Sequence, residues 1–443
     1  MESAGAVCMP VEKIPRFYDQ FSCIGSDCED NCCSTNYKID IDKASYQYAI
    51  YKSKLTDTEK SYFVRDKDAK KKSEYAVMQL NHKGACHFLT KKNLCSLYDT
   101  VGYQRLPQIC KDYPRAWYKR GGDVEFSMNL SCPEVVRKVC FDPDAWVMRE
   151  QEVKKSGKRD KPEGKPLYFD LLRMFIVNTL SIEDASMDER IYTLGISFAN
   201  LRPYIEKPPE SMIEAIMTMH DSITEGHVRI LYQQHPNGQV QSSMFFALMM
   251  NKINLLLGET PNYGRRMREL SARLMDIAQK VLKQNKKFSL DDAWFDIIAD
   301  PQAQARYHAY MQTRPHAWKN FILHLIWRSG FPHYETSLEI FYFAILYYIY
   351  YRHCLLILAS HQPLTDDDFV LVVQSLSRLE KISPDLIQNL ARSLVNLFEM
   401  KTDDGFSLSG LFCLKLEYNE QEQAVAQGLS DGASQPDTSS PSM

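Results

Sequence analysis

Ten of the twelve cysteines fall within the first 140 residues: Cys8, Cys23, Cys28, Cys32, Cys33, Cys86, Cys95, Cys110, Cys132 and Cys140. No other feature of the sequence restricts the possible fold as strongly. The central spacing is Cys23-x4-Cys28-x3-Cys32-Cys33, followed by Cys86-x8-Cys95-x14-Cys110 and then Cys132. Cys354 and Cys413 stand apart among apolar residues and read as small buried hydrophobes. A disulfide framework needs an oxidising compartment, and the N-terminal stretch MESAGAVCMPVEKIPRF has neither the cationic start nor the apolar run of a secretory signal. In a reducing compartment, clustered thiols read first as metal ligands, then as redox thiols, and last as inert side chains. Thiolates select zinc or iron–sulfur clusters. The adjacent pair Cys32-Cys33 cannot easily serve one small centre in the same way, so it suggests two sites or one spare ligand. The paired C-x2-C knuckles usual for zinc are absent, and the irregular spacing favours iron–sulfur, with zinc as the alternative.

The remaining chain divides by pattern. Residues 1–148 are expected to form a cysteine-rich, mixed α/β region. Ile39 and Ile41 alternate with Asp40 and Asp42, and Glu125 to Leu130 alternates likewise, which predicts short strands. Tyr46 to Leu55 and Pro133 to Cys140 predict short helices. Residues 149–166 are rich in Lys and Arg, include two Pro and two Gly, and carry almost no apolar side chain. They read as a solvated linker, with a docking strip for an acidic partner as the alternative. From Leu167 to residue 418 the pattern predicts an all-helical domain. Leu167, Leu171, Leu172, Phe175, Ile176 and Leu180 mark one apolar face. Ser186-x-x-Glu189, Ser211-x-x-Glu214 and Thr336-x-x-Glu339 read as capping boxes, and about nine helices are expected. Residues 419–443 lack Lys and Arg and nearly all large apolar residues, so they are expected to be a disordered tail. The fold class expected is therefore mainly α.

The net charge of −3 excludes a basic protein that coats nucleic acid. The most membrane-like stretch, Ile340 to Ser360, is interrupted by Arg352 and His353, whereas a spanning helix needs ~20 mostly apolar residues. It reads as a buried helix, and no membrane or nucleic-acid partner is expected. No Gly-rich phosphate loop, H-E-x-x-H or G-x-S-x-G motif occurs. His82 and His87 flank Cys86 but read as ordinary loop histidines. His308, His316 and His324 recur every eight residues, but Pro315 prevents them from sharing one helix face. The run Phe341, Tyr342, Phe343, Tyr347, Tyr348, Tyr350 and Tyr351 reads as core packing, with a cage for a cationic group as the alternative. The residues alone reach a cytoplasmic, metal-binding, mostly helical protein.

The stretch FSCIGSDCEDNCCSTNYKIDIDKASYQYAIY, Phe21 to Tyr51, resembles the N-terminal signature of the bacterial flagellin lysine-N-methylases. GACHFLTKKNLCSLYD (Gly84 to Asp99), QICKDYPR (Gln108 to Arg115) and LSCPEVVRK (Leu130 to Lys138) resemble the next blocks, and NFILHLIWRSGFPH (Asn320 to His333) is similar to the C-terminal half. The N-terminal blocks also resemble the cysteine-cluster proteins described as zinc- or iron-chelating. The family resemblance implies transfer of a methyl group from S-adenosylmethionine to lysine ε-amines of flagellin in the cytoplasm, with a cysteine-bound iron–sulfur cluster of 4Fe-4S type. Its implied ligand candidates are Cys23, Cys28, Cys32, Cys33, Cys86, Cys95, Cys110 and Cys132. It assigns no catalytic or S-adenosylmethionine-binding residue here. One departure stands out. Radical S-adenosylmethionine enzymes carry C-x3-C-x2-C, whereas here Cys28-x3-Cys32 is followed by Cys33, Ser34 and Thr35. Amine methylation does not require a radical, since a neutral, aligned lysine can displace the methyl group directly. The competing readings are a non-enzymatic metal module and a thiol redox or adaptor protein. The ~250 residues of helical pattern argue against a bare chelator, which needs no such core.

Overall fold

A computed structural model describes residues 11–34, 38–120, 122–152, 167–259, 265–284, 289–331, 339–382, 389 and 413–415. The fold is mainly α, and among the described residues the strands are confined to the N-terminal region. The chain opens with β1 (Val11–Pro15) and the single turn α1 (Arg16–Asp19). A small subregion follows, made of β2 (Asp40–Ile41), α2 (Lys43–Tyr51), α3 (Asp57–Ser61), β3 (Phe63–Arg65), β4 (Ala76–Met78), α4 (Ser96–Val101) and α5 (Gln108–Asp112). Then come β5 (Arg115–Arg120), β6 (Asp123–Met128), α6 (Pro133–Cys140) and β7 (Met148–Glu152). Two sheets result, one ordered β5-β6-β1-β7 and the other β2-β4-β3. The predicted strands at Ile41 and Glu125 and the predicted helix Pro133–Cys140 are present. Helix α2 starts earlier than its apolar pattern suggests, because Asp42 accepts a hydrogen bond from the Ser45 amide at 2.9 Å and caps it.

The expected linker begins as a strand. Met148–Glu152 pairs antiparallel with the whole of β1. Its side chains are mostly exposed, so it carries no apolar alternation to reveal it, and the backbone ladder alone sets it. Residues 153–166, the capping position at Thr336 and the expected tail lie outside the described residues.

Helices α7 (Phe169–Leu180), α8 (Met187–Leu201), α9 (Pro209–Thr224), α10 (His227–Gln234), α11 (Gln239–Glu259), α12 (Arg265–Gln284), α13 (Leu290–Ala299), α14 (Pro301–Thr313), α15 (Ala317–Ser329), α16 (Glu339–His361) and α17 (Asp366–Ile382) form the rest. These outnumber the nine expected, partly because Asp300 ends α13 and also caps α14 through the Gln302 and Ala303 amides. Ser186 caps α8 as expected. Ser211 does not cap α9: Pro209 occupies the first turn, where its missing N–H costs nothing, and the helix begins two residues before Ser211.

The described apolar side chains form two cores. The larger runs from Phe17 through Met128 and α6 into every helix from α7 to α17. Helix α16 lies at its centre, against α11, α12, α13, α14, α15 and α17. From Phe343 to His361 this helix is long and apolar enough to cross a membrane, yet 83% of that window is buried inside the protein. Tyr348, Tyr350 and Tyr351 are fully buried. The Tyr348 hydroxyl donates to Asp188 at 2.6 Å and that of Tyr351 to the Val373 carbonyl at 3.2 Å. Arg352, also buried, pairs with Asp188 at 3.3 Å. These rings fill the core, as expected, and each hydroxyl has an internal partner. The smaller core comprises Ile41, Ala49, Leu55, Phe63, Ala76, Met78, Cys86, Phe88, Leu97 and Leu106.

Candidate functional site: the cysteine cluster

Short turns bring the cysteines into one region. Gly25–Asp27 forms a single 3-10 turn ahead of Cys28, and Cys32–Ser34 forms a second. Asn31 sets the loop between them, because its side-chain oxygen accepts the Cys33 amide at 2.8 Å and its Nδ2 donates to the Asn93 carbonyl at 2.8 Å. The Cys86 amide donates to the Cys33 carbonyl at 2.8 Å. Cys86 and Cys95 each close a tight turn, facing Leu80 and Leu89 in isolated bridges. Cys95 is the N-cap of α4 and Cys132 the N-cap of α6, while Cys110 lies within α5. Asp42 ties α5 to the small core by accepting the Gln108 amide at 3.2 Å.

Cys32 lies near the Arg378 guanidinium of α17, and its neighbour Cys33 faces the small core. Cys33 and Cys95 pack against the small core, which includes Cys86, while Cys132 packs against the large one. No disulfide joins any described cysteine. Cys86 is buried, Cys28, Cys33, Cys95 and Cys132 are half-buried, and Cys23, Cys32 and Cys110 reach solvent.

Nearby backbone N–H groups favour the thiolate at several sulfurs: that of Asp30 at Cys28, of Phe88 at Cys86, of Tyr98 and Leu97 at Cys95, and of Val135 and Glu134 at Cys132. The Gly25 amide donates to Cys23 Sγ at 3.5 Å. Burial outweighs that influence, pushing Cys28 and Cys86 up to about 11 and Cys132 up to about 12. Cys110 is exposed as a residue, but the protein packed around its sulfur also raises its thiol. Cys32 behaves differently. The hydrogen bond from the Cys33 thiol, assisted by the Arg378 guanidinium, holds Cys32 down to about 7 against desolvation. Cys33, which gives that bond, is raised far above the ordinary thiol range.

Seven of the eight candidate thiols, all but Cys23, lie in one electrostatic neighbourhood, and thiols so gathered have the donor chemistry of a soft-metal group. Among the described residues, no three Cys, His, Asp or Glu side chains stand ready-grouped around one ion position. His87 is stacked on Tyr62 at 3.9 Å, in keeping with a loop histidine. No open aromatic cage forms from Tyr348 and Tyr351, whose rings lie inside the large core.

Two buried carboxylates escaped the sequence reading, one of them within this site. Asp30, between Cys28 and Cys32, is 2% exposed and is gripped by Arg378, Gln374 and Arg265. Glu125, read only as part of an alternating strand, is fully buried and takes Arg173 at 2.7 Å and Arg120 at 3.4 Å. Arg120 also donates to the Trp327 and Arg328 carbonyls at 2.9 Å, closing the C-terminus of α15. Gly330, at φ +79°, leaves room for that guanidinium, since a Cβ there would lie 2.1 Å from Arg120 Nη1. Partners so far apart in the chain leave no local sequence signal.

A family model described as the FliB lysine N-methylase C-terminal domain matches residues 173–423. A lysine-N-methylase of Salmonella choleraesuis (strain SC-B67) is 24% identical over 403 residues, which cover 89% of this chain and 97% of that protein. The lysine-N-methylase of Salmonella typhimurium (strain LT2) is 25% identical over 322 residues, 72% of this chain and 78% of the relative. The flagellar biosynthetic protein FliU of Salmonella muenchen is 32% identical over 143 residues, 31% of this chain and 82% of the relative. No solved structure matches. The chain belongs to the FliB lysine N-methylase family, and so to the protein lysine methyltransferases.

Proposed function

We propose that this chain transfers methyl groups from S-adenosylmethionine to lysine ε-amines of flagellin in the cytoplasm, and that its cysteines hold an iron–sulfur cluster of 4Fe-4S type. Methylation of lysine is supported by the family and by the names of the two long relatives, and a flagellar substrate by the name of the third. The observation that carries the metal reading is the gathering of seven thiols from five separate stretches of chain into one neighbourhood. The candidate ligands are Cys23, Cys28, Cys32, Cys33, Cys86, Cys95, Cys110 and Cys132. Bound there, the cluster would supply cross-links between the small and large cores. S-adenosylmethionine supplies an electrophilic methyl group.

The acceptor lysine must be neutral, which at pH 7 means losing a proton held at a pKa of about 10.4. The chain has to desolvate that amine and align it with the methyl group. Direct displacement then suffices, in keeping with the absence of a third cysteine spaced as in C-x3-C-x2-C. The test is mass spectrometry of flagellin from a flagellated host with and without this gene. The reading predicts increments of about 14 Da on lysine only when the gene is present. Identical spectra from both strains would refute it and favour a metal-binding module without this activity.

A further inference from the structure

Two of the loops that carry candidate ligands are fastened by one buried polar knot, and the helical core supplies the knot. Asp30 Oδ2 accepts Arg378 Nε at 2.7 Å and Gln374 Nε2 at 2.7 Å, and Asp30 Oδ1 accepts Arg265 Nη2 at 2.7 Å. The backbone is held as well: Arg378 Nη2 donates to the Asp30 carbonyl at 2.8 Å, and Arg265 Nη2 to that of Glu29 at 2.7 Å. Gln374 also donates to the carbonyl of Ser131, next to Cys132, at 3.1 Å. Its own oxygen accepts Arg266 Nε at 3.0 Å, which fixes its orientation. From the other side Glu29 accepts Arg137 Nη2 of α6, the helix that Cys132 caps, at 2.7 Å. Side chains of α12 and α17 therefore set the position of the Cys28–Cys33 loop relative to Cys132.

We propose that Asp30, Arg378 and Gln374 form a latch through which the helical core positions the Cys28–Cys33 loop against Cys132, making Arg378 and Gln374 positioning residues for the thiol centre. Stability alone does not call for such an arrangement. Asp30 and Arg378 are both almost fully buried, and buried ion pairs often gain nothing over a well-packed apolar pair of similar volume. What the knot adds is direction. Six hydrogen bonds to two consecutive residues fix the backbone between two thiols, which apolar contacts would not do. Arg378 additionally brings its positive charge close to the Cys32 sulfur.

The latch is tested in the full-length protein. The iron arm of the test rests on reading the cysteines as metal ligands; the exchange arm does not. The main variant is Asp30→Asn/Arg378→Met, which removes both charges together and strands neither. In the full-length protein as purified without air, hydrogen–deuterium exchange is followed at the Cys28, Ser34 and Cys132 amides, which are bonded to Gly25, Asn31 and Asn129. The latch predicts exchange at least about tenfold faster at these amides, with α13 to α16 unchanged. After anaerobic reconstitution it predicts that the variant retains less than half the iron and acid-labile sulfide of the parent. Gln374→Met, which creates no buried charge, should loosen the Cys132 amide specifically, and it decides the matter if the double variant does not fold. Unchanged exchange at these amides would overturn the proposal. So would acceleration spread evenly over α7 to α17, which would make the knot an ordinary fold contact. If the parent takes up no iron, the metal reading fails, and exchange alone decides the latch.

Discussion

The small core around Cys86 and the large core around α16 solve the burial problem in opposite ways. The large core buries whole aromatic side chains, each worth roughly 1.5–3 kcal/mol or more on burial, and satisfies their polar tips internally. The small core has ten buried side chains, four of them on strands of two or three residues and the rest on short helices and loops, too little to stabilise a region of that length by burial alone. It is instead lined and flanked by thiols, with Cys33, Cys86 and Cys95 in or against it. A region so short of apolar burial would gain most from a cross-link, and the metal centre proposed above would supply one. The two regions should therefore respond differently to the same kinds of damage.

The largest difference is expected from the ligands. Cys86→Ser or Cys110→Ser should abolish metal content and unfold the small core at a cost on the order of 5 kcal/mol, with the helices retaining their circular dichroism. Retention of metal in both variants would separate these thiols from the centre. Next comes Trp318→Ala in the large core. This ring is buried between Phe321, Tyr348 and Phe369, with centroids at 5.7, 5.2 and 4.9 Å. Its loss should cost about 3–5 kcal/mol in denaturant unfolding and leave the metal per folded chain unchanged. A matching fall in metal would show that the two cores do not fail independently.

A pH effect should arise where sheet and helices meet. His324 is fully buried and its Nε2 faces the Met128 carbonyl at 2.8 Å. Burial, aided by the Arg328 charge and opposed by the Met128 carbonyl, pushes it from 6.5 down to about 3. Because its folded-state pKa is depressed, its full contribution to stability is present above about pH 6.5 and is lost as the pH falls from there toward 3. At pH 5 the loss should be about 2 kcal/mol, and His324→Gln should flatten stability between pH 6.5 and 5. An unchanged slope in the variant would assign the acid sensitivity elsewhere. The smallest effect is expected from Cys354→Ser, a buried position on α16 far from the cluster in sequence. Its metal content should equal that of the parent, at a stability cost of about 1–3 kcal/mol for the buried hydroxyl. A fall in metal would place a ligand outside the first 140 residues.

What the sequence disclosed follows the same division. Crowded cysteines, the Pro133-to-Cys140 helix, the Ser186 cap and the aromatic core helix were legible because each depends on near neighbours and on periodicity. Strand β7 was not, since an exposed strand held by its ladder to β1 shows no apolar alternation. The Ser211 capping pattern misled because Pro209 and its neighbours govern that helix start. Asp30 looked like one more loop carboxylate. Its partners Gln374 and Arg378 lie 344 and 348 residues away, a distance over which residue pattern carries no information. Glu125 and Arg120 were hidden for the same reason, as each takes its meaning from a helix that arrives much later.

The difference between the two cores is tested most directly by iron and acid-labile sulfide analysis of the full-length protein purified without air. The account predicts iron and sulfide in near-equal amounts, about four of each per chain for a 4Fe-4S cluster, with the small core unfolding when the cluster is removed by chelation and oxidation. Protein that carries zinc alone, or no metal at all, and yet keeps its small core folded would contradict it.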